Sequence, residues 1–136
     1  MIVCELCDEI DGCVSHVSEI YIFTNGSKLV LQRPEEQFKF LIDQIQNLFQ
    51  NSRLMPAFGV SLHEETQNAL MEDEWIQLNF PKTLSVDGLE FDSLLFKIET
   101  TGGMNLIRLV NGKYEGRCFY LDFQEMLDLK QILKIS

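Results

Sequence analysis

This sequence has few cationic side chains for its acids, few histidines and no long apolar run. It carries 11 Lys and Arg against 21 Asp and Glu, a formal net charge of −10. Phosphate backbones and anionic membrane surfaces recruit proteins through Lys and Arg, so nucleic acid and membrane are both disfavoured as partners. An acidic surface suits solubility, or a basic protein partner. No stretch approaches the roughly 20 apolar residues of a membrane span. The start Met1-Ile2-Val3-Cys4-Glu5 lacks the basic opening and apolar run of a secretory leader. The expected compartment is a reducing cytoplasm, where Cys4, Cys7, Cys13 and Cys118 stay thiols. His16 and His63 are the only imidazoles. A phosphate-cradling loop is missing too: Thr101-Gly102-Gly103 has no lysine and no following helix, and reads as a hairpin loop.

What is present is an ordinary globular composition. Of the 136 residues, 46% are hydrophobic and 24% charged, enough apolar surface to offset the chain entropy. A chain of this length is expected to form a single α+β domain over 1–136.

The sharpest local signal lies between Glu19 and Gln32. Two alternating apolar runs meet across Asn25-Gly26, the preferred pair for a type I′ turn. That loop sets Ile22 opposite Leu29 and Ile20 opposite Leu31, four side chains expected to share a buried face. Tyr21, Phe23, Lys28 and Val30 then share the other. A helix follows, with Pro34 and Glu35-Glu36 suited to its first turn and its end near Asn51-Ser52. Phe38, Leu41, Ile42, Ile45, Leu48 and Phe49 recur at helical spacing as one apolar stripe.

Arg53 to Gly59 reads as a connection punctuated by Pro56. Ser61 and Glu64 match a capping box for a short helix running to about Met71, with Leu62, Thr66, Ala69 and Leu70 inward. Glu72-Asp73-Glu74 opposes the negative end of that helix and sets its boundary early. Trp75 to Phe80 alternates as a strand that Pro81 is expected to end. Asp87-Gly88 turns into a long strand from Leu89 to Thr100. Leu106–Val110 and Lys113–Asp122 flank a second Asn-Gly pair, Asn111-Gly112. Asp122 and Glu125 cap a final helix striped by Met126, Leu129 and Leu133. The expected architecture is an antiparallel sheet of hairpins with about three helices packed mainly on one face.

The one pattern with metal chemistry is Cys4-x2-Cys7-x5-Cys13-x2-His16, because zinc takes four soft or borderline ligands from two close pairs. If Asp11-Gly12 is a two-residue hairpin loop, alternation puts Cys7 and His16 on one face and Cys4 and Cys13 on the other. No ion reaches both faces of a strand pair. Buried thiols packing as small apolar residues are the plainer reading. A redox pair is disfavoured, since Glu5, Asp8 and Glu9 raise the pKa of the thiols between them. Cys118 sits in a predicted strand with Arg117 directed to the opposite face. A Cys118–histidine dyad depends on groups meeting in space.

These readings leave no catalytic residue and no cofactor to assign. A non-enzymatic acidic protein-binding module, of inhibitor, adaptor or immunity type, is the expected class, with a basic protein as partner. Tyr21, Phe23, Phe40, Tyr114 and Tyr120 are candidate anchors for that partner. Asp8-Glu9-Asp11, Glu64-Glu65 and Glu72-Asp73-Glu74 are candidate steering charges. A zinc-stapled binding domain built on Cys4, Cys7, Cys13 and His16 is the alternative, and a cryptic enzyme using a Cys or His is a further one. The zinc reading predicts stoichiometric metal in the purified protein and a loss of stability in Cys7→Ser; elemental analysis without zinc, together with an unaffected Cys7→Ser, removes it.

Overall fold

The Asn-Gly pairs organise the sheet. Asn25 and Gly26 take φ of 47° and 89°, and Asn111 and Gly112 take 51° and 81°, the left-handed values a type I′ turn needs. The computed structural model describes residues 13–50, 53–86, 88–98, 103–114 and 116–122. Within them the first turn joins β1 (Glu19–Thr24) to β2 (Ser27–Gln32), with Ile22 opposite Leu29 and Ile20 opposite Leu31 as expected. Helix α1 (Glu36–Gln50) follows. Then come β3 (Arg53–Ser61), α2 (His63–Ala69), β4 (Glu74–Val86) and β5 (Leu89–Lys97). The second turn joins β6 (Met104–Val110) to β7 (Lys113–Tyr114), before β8 (Gly116–Asp122).

All strand pairings are antiparallel, in the order β2-β1-β4-β5-β6-β8-β3, with β7 paired to β6. The result is a curled antiparallel sheet with α1 and α2 packed on it. No helix among the described residues is long and apolar enough to cross a membrane.

The expected stripe of α1 is real. Phe38, Leu41, Ile42, Ile45 and Phe49 are buried, Leu48 partly so, and Phe40 projects outward. They meet Ile20, Ile22, Ile76, Leu78, Leu94 and Phe96 on what we term the core face of the sheet, where Phe49 and Phe96 lie 6.1 Å apart. A 3₁₀ turn at Val14–His16 adds Cys13, Val14 and Val17 to this core. Arg33 ties that turn down by donating to the Val17 carbonyl at 3.0 Å and the Ser15 carbonyl at 3.4 Å, with its guanidinium over the Phe38 ring.

Several expectations are corrected. Leu29 is 49% exposed: β2 ends the strand order, and among the described residues it pairs with β1 alone. Arg53–Ser61 is a strand and not a connection, since β8 supplies an antiparallel partner from Arg53↔Asp122 to Ser61↔Gly116. Pro56 falls where that register shifts, between Met55 and Gly59. Pro81 likewise does not end its strand: β4 runs on to Val86 with a register shift between Asn79 and Leu84. Both prolines sit at irregularities, where a missing N–H leaves no ladder bond broken. The capping box does not form. Ser61 is paired with Gly116 in the sheet, and Leu62 precedes α2 without a side-chain cap. Only Thr66 and Leu70 of the expected inward set are buried, while Leu62 and Ala69 face out.

The helices also divide between the faces instead of sharing one. Leu70, Trp75, Leu95 and Tyr114 form a second cluster on the face opposite α1, and α2 covers it. The Thr101-Gly102 turn and the final helix fall outside the described residues.

Candidate functional site

Cross-strand register shows what the second face carries. From edge to centre, one row runs Gln32, Glu19, Asn79, Ser93, Leu109, Tyr114. The next runs Val30, Tyr21, Gln77, Leu95, Ile107, and a third Lys28, Phe23, Trp75, Lys97. Polar groups thus enter from the edge and aromatic and aliphatic ones close over them. Gln77 is only 3% exposed and Ser93 is buried with it. Buried amides and hydroxyls must find partners inside the protein.

They do so in one direction. The Tyr114 hydroxyl donates to Gln77 Oε1. Gln77 Nε2 donates to Asn79 Oδ1 at 2.8 Å, and Ser93 Oγ donates to the same oxygen at 2.6 Å. Asn79 Nδ2 then donates to Glu19 Oε1 at 3.2 Å, while Gln32 Nε2 donates to Glu19 Oε2 at 2.6 Å. The file ends at a carboxylate, which only accepts. Hydrogen bonds from Gln32, Tyr21 and Asn79, with the nearby Lys28 cation, hold Glu19 below the usual glutamate range against the opposing effect of burial. Tyr21 is pushed up by burial and by the Glu19 charge. At the inner end, burial pushes Tyr114 up to about 12, with Tyr21 adding to it. Tyr114 is therefore a donor throughout the physiological range.

Helix α2 closes the inner end. His63 stacks on Tyr114 with ring centroids 5.7 Å apart, and its Nδ1 accepts the Tyr114 backbone N–H at 3.1 Å. Trp75 Nε1 donates to the Glu72 carbonyl at 2.9 Å. The loop after α2 is fastened to the β1–β2 turn. Asn25 N–H donates to the Asp73 carbonyl at 3.0 Å, and Asp73 N–H to Asn25 Oδ1 at 3.2 Å. A Cβ on Gly26 would stand 3.2 Å from the end of Met71, so this turn and loop are in close contact.

The residues singled out in the sequence are scattered. Cys4, Cys7 and the Asp11-Gly12 pair lie outside the described residues. Cys13 is 1% exposed within the main core. Cys13 to His16 do not continue a hairpin strand but enter a 3₁₀ turn, which brings residues three apart onto one side. The strand alternation that would separate Cys13 from His16 is thus absent. Among the described residues no His, Cys, Asp and Glu gather as a metal-holding group.

Cys118 is buried in β8 opposite Gly59, with Arg117 turned outward as alternation requires. The Tyr114 backbone N–H occupies Nδ1 of His63. Of the candidate anchors, Tyr114 is buried, Tyr21, Phe23 and Tyr120 are half-buried, and Phe40 is exposed. The polar file itself was missed from sequence. Gln77 and Asn79 alternate with Ile76, Leu78 and Phe80, which marks their face but not that other elements cover it.

Comparison with protein-family models, with curated proteins and with solved structures finds no match for this chain.

Tyr114→Phe leaves Gln77 Oε1 without its donor and should cost about 1–3 kcal/mol in urea unfolding; a loss under about 0.5 kcal/mol would mean that the amide reaches water instead. Glu19, held low in the folded state, contributes stability that is complete above its unfolded pKa and disappears as pH falls through the folded value. The stability gap between wild type and Glu19→Gln should therefore be widest near neutrality and close on the acid side. A gap independent of pH would exclude Glu19 as its source.

Proposed function

We propose that this chain is a single-domain, non-enzymatic protein-binding module of the cytoplasm, presenting an acidic and partly apolar surface to a basic protein partner. The observation that carries this reading is the segment 62–74. It holds Glu64, Glu65, Glu72, Asp73 and Glu74 and no Lys or Arg. Leu62 and Met71 stand in the same segment, 57% and 64% exposed. Negative charge interleaved with large exposed apolar side chains suits recognition, where charge steers and apolar contact holds. Asp73 is paired with Lys97 at 3.4 Å, and Glu64, Glu65 and Glu72 are exposed.

The rest of the second face supports binding over turnover. Its polar groups are bonded to one another, its carboxylate is held ionised, and the His63 imidazole accepts a backbone N–H. An inhibitor, adaptor or immunity-type role fits a surface built to be static. A zinc-stapled variant of the same module is the second reading. It draws on the 3₁₀ turn at Val14–His16, which replaces the strand alternation that would separate Cys13 from His16, although Cys13 itself is buried in the main core.

A pull-down from the source cell at low salt, with captured proteins identified by mass spectrometry, tests the principal reading. The captured partner should be basic and its affinity should fall as salt rises. The combined variant Glu64→Gln, Glu65→Gln, Glu72→Gln should weaken it by about tenfold, the sum of several exposed charge contacts. A partner held equally by wild type and variant, and indifferent to salt, refutes the electrostatic reading.

A further inference from the structure

We propose that the free edge of β2 is a self-association surface, on which a second copy of this chain pairs antiparallel about a two-fold axis at Leu29. The inference is independent of the acidic segment and of its partner. Strand β2 ends the sheet, and among the described residues it pairs with β1 alone.

Hairpin geometry says which backbone groups are left over. A two-residue loop makes the closing pair Thr24↔Ser27 a hydrogen-bonded one, and bonded pairs then recur at Ile22↔Leu29 and Ile20↔Leu31. The N–H and C=O groups of Lys28, Val30 and Gln32 therefore point away from β1. Gln32 has local partners: its N–H donates to Glu35 Oε2 at 3.4 Å and its carbonyl accepts from Glu35 N–H at 3.0 Å. Lys28 and Val30 remain.

The usable edge is thus bounded by the Asn25-Gly26 turn on one side and the Glu35 cap on the other. Its midpoint is Leu29. A two-fold axis there sets Lys28 opposite Val30 of the second copy and Val30 opposite its Lys28. Each such pair exchanges N–H···O=C bonds in both directions. Ser27 falls opposite Leu31 of the second copy, so the pairing stops short of Gln32 and leaves the Glu35 bonds intact. Leu29 meets its own counterpart as a close non-bonded pair, covering a side chain that is 49% exposed. Val30 is covered with it.

Repulsion between two copies is least at this edge. Two chains of net charge −10 repel over most of their surfaces. Ser27 to Leu31 contains no acid, and its one cation is drawn inward: Lys28 Nζ lies 4.4 Å from the centroid of Tyr21 on β1. The two Lys28 ammonium groups are thereby turned away from each other. A contact of five residues per copy buries less than the roughly 1,000 Å² of a stable interface, so the dimer is a weak one.

Sedimentation equilibrium of the full chain tests the proposal. Wild type should show a reversible monomer–dimer equilibrium with a dissociation constant on the order of 10–1,000 µM. Leu29→Lys should weaken it at least about tenfold, with the circular dichroism spectrum and Trp75 fluorescence unchanged. Leu29→Cys should form an intermolecular disulfide under mild oxidation, since Cα atoms of a non-bonded antiparallel pair lie about 4.5 Å apart, within disulfide range. Leu62→Cys, at a comparably exposed site elsewhere, should not. A wild type that stays monomeric to about 1 mM overturns the proposal, as does a dimer indifferent to Leu29→Lys or equal crosslinking of both cysteine variants.

Discussion

Strand β4 is buried on both faces, and the amide of Gln77 is where that constraint is felt most. Ile76 and Leu78 point into the core beneath α1, while Trp75 and Gln77 point into the second cluster beneath α2. A buried amide without partners costs roughly the desolvation of both its ends. The solution is propagated outward from a charge. The Glu19 carboxylate can only accept, so Asn79 must turn its NH₂ towards it. Asn79 Oδ1 then faces Ser93 and Gln77, and Gln77 must present its own NH₂. Its oxygen is left for Tyr114, which must donate. One carboxylate at the edge orients each group as far as α2.

The polar groups of the second face are bonded to one another. Its glutamate is held ionised, its tyrosine is held protonated, and its histidine accepts the Tyr114 backbone N–H. The groups that face solvent, by contrast, are acids and large apolar side chains on α2 and the loop after it, together with the outer side of β2, which among the described residues pairs with β1 alone. Fastening that loop to the β1–β2 turn through Asn25, Gly26 and Asp73 makes the acidic surface part of the sheet's own framework.

Much of the sheet was legible because its signals are local. Asn25-Gly26 and Asn111-Gly112 name their turn type through positive φ, and the turn then fixes which residues face each other. The stripe of α1 was legible for the same reason, since helical spacing is a property of a short window. The failures were at residues whose state depends on a distant neighbour. Ser61 was free to cap α2 until β8 took it as a strand residue. Pro56 and Pro81 read as stops until strand irregularities accommodated them. Cys13 to His16, a strand only if Asp11-Gly12 turned a hairpin, instead lead into a 3₁₀ turn at Val14–His16 that buries Val14.

By itself, then, the sequence determined the hairpin registers, the buried stripe of α1, the acidic surface and the absence of any phosphate-loop pattern, all consequences of neighbours in the chain. Only the tertiary structure decided that Leu29 is exposed, that Gln77 is buried, and that the two helices lie on opposite faces. Alternation sorts a strand's side chains into two faces but is silent on what covers each. That depends on which strand lies at the edge and where α2 lands, and both are settled by contacts between residues far apart in sequence.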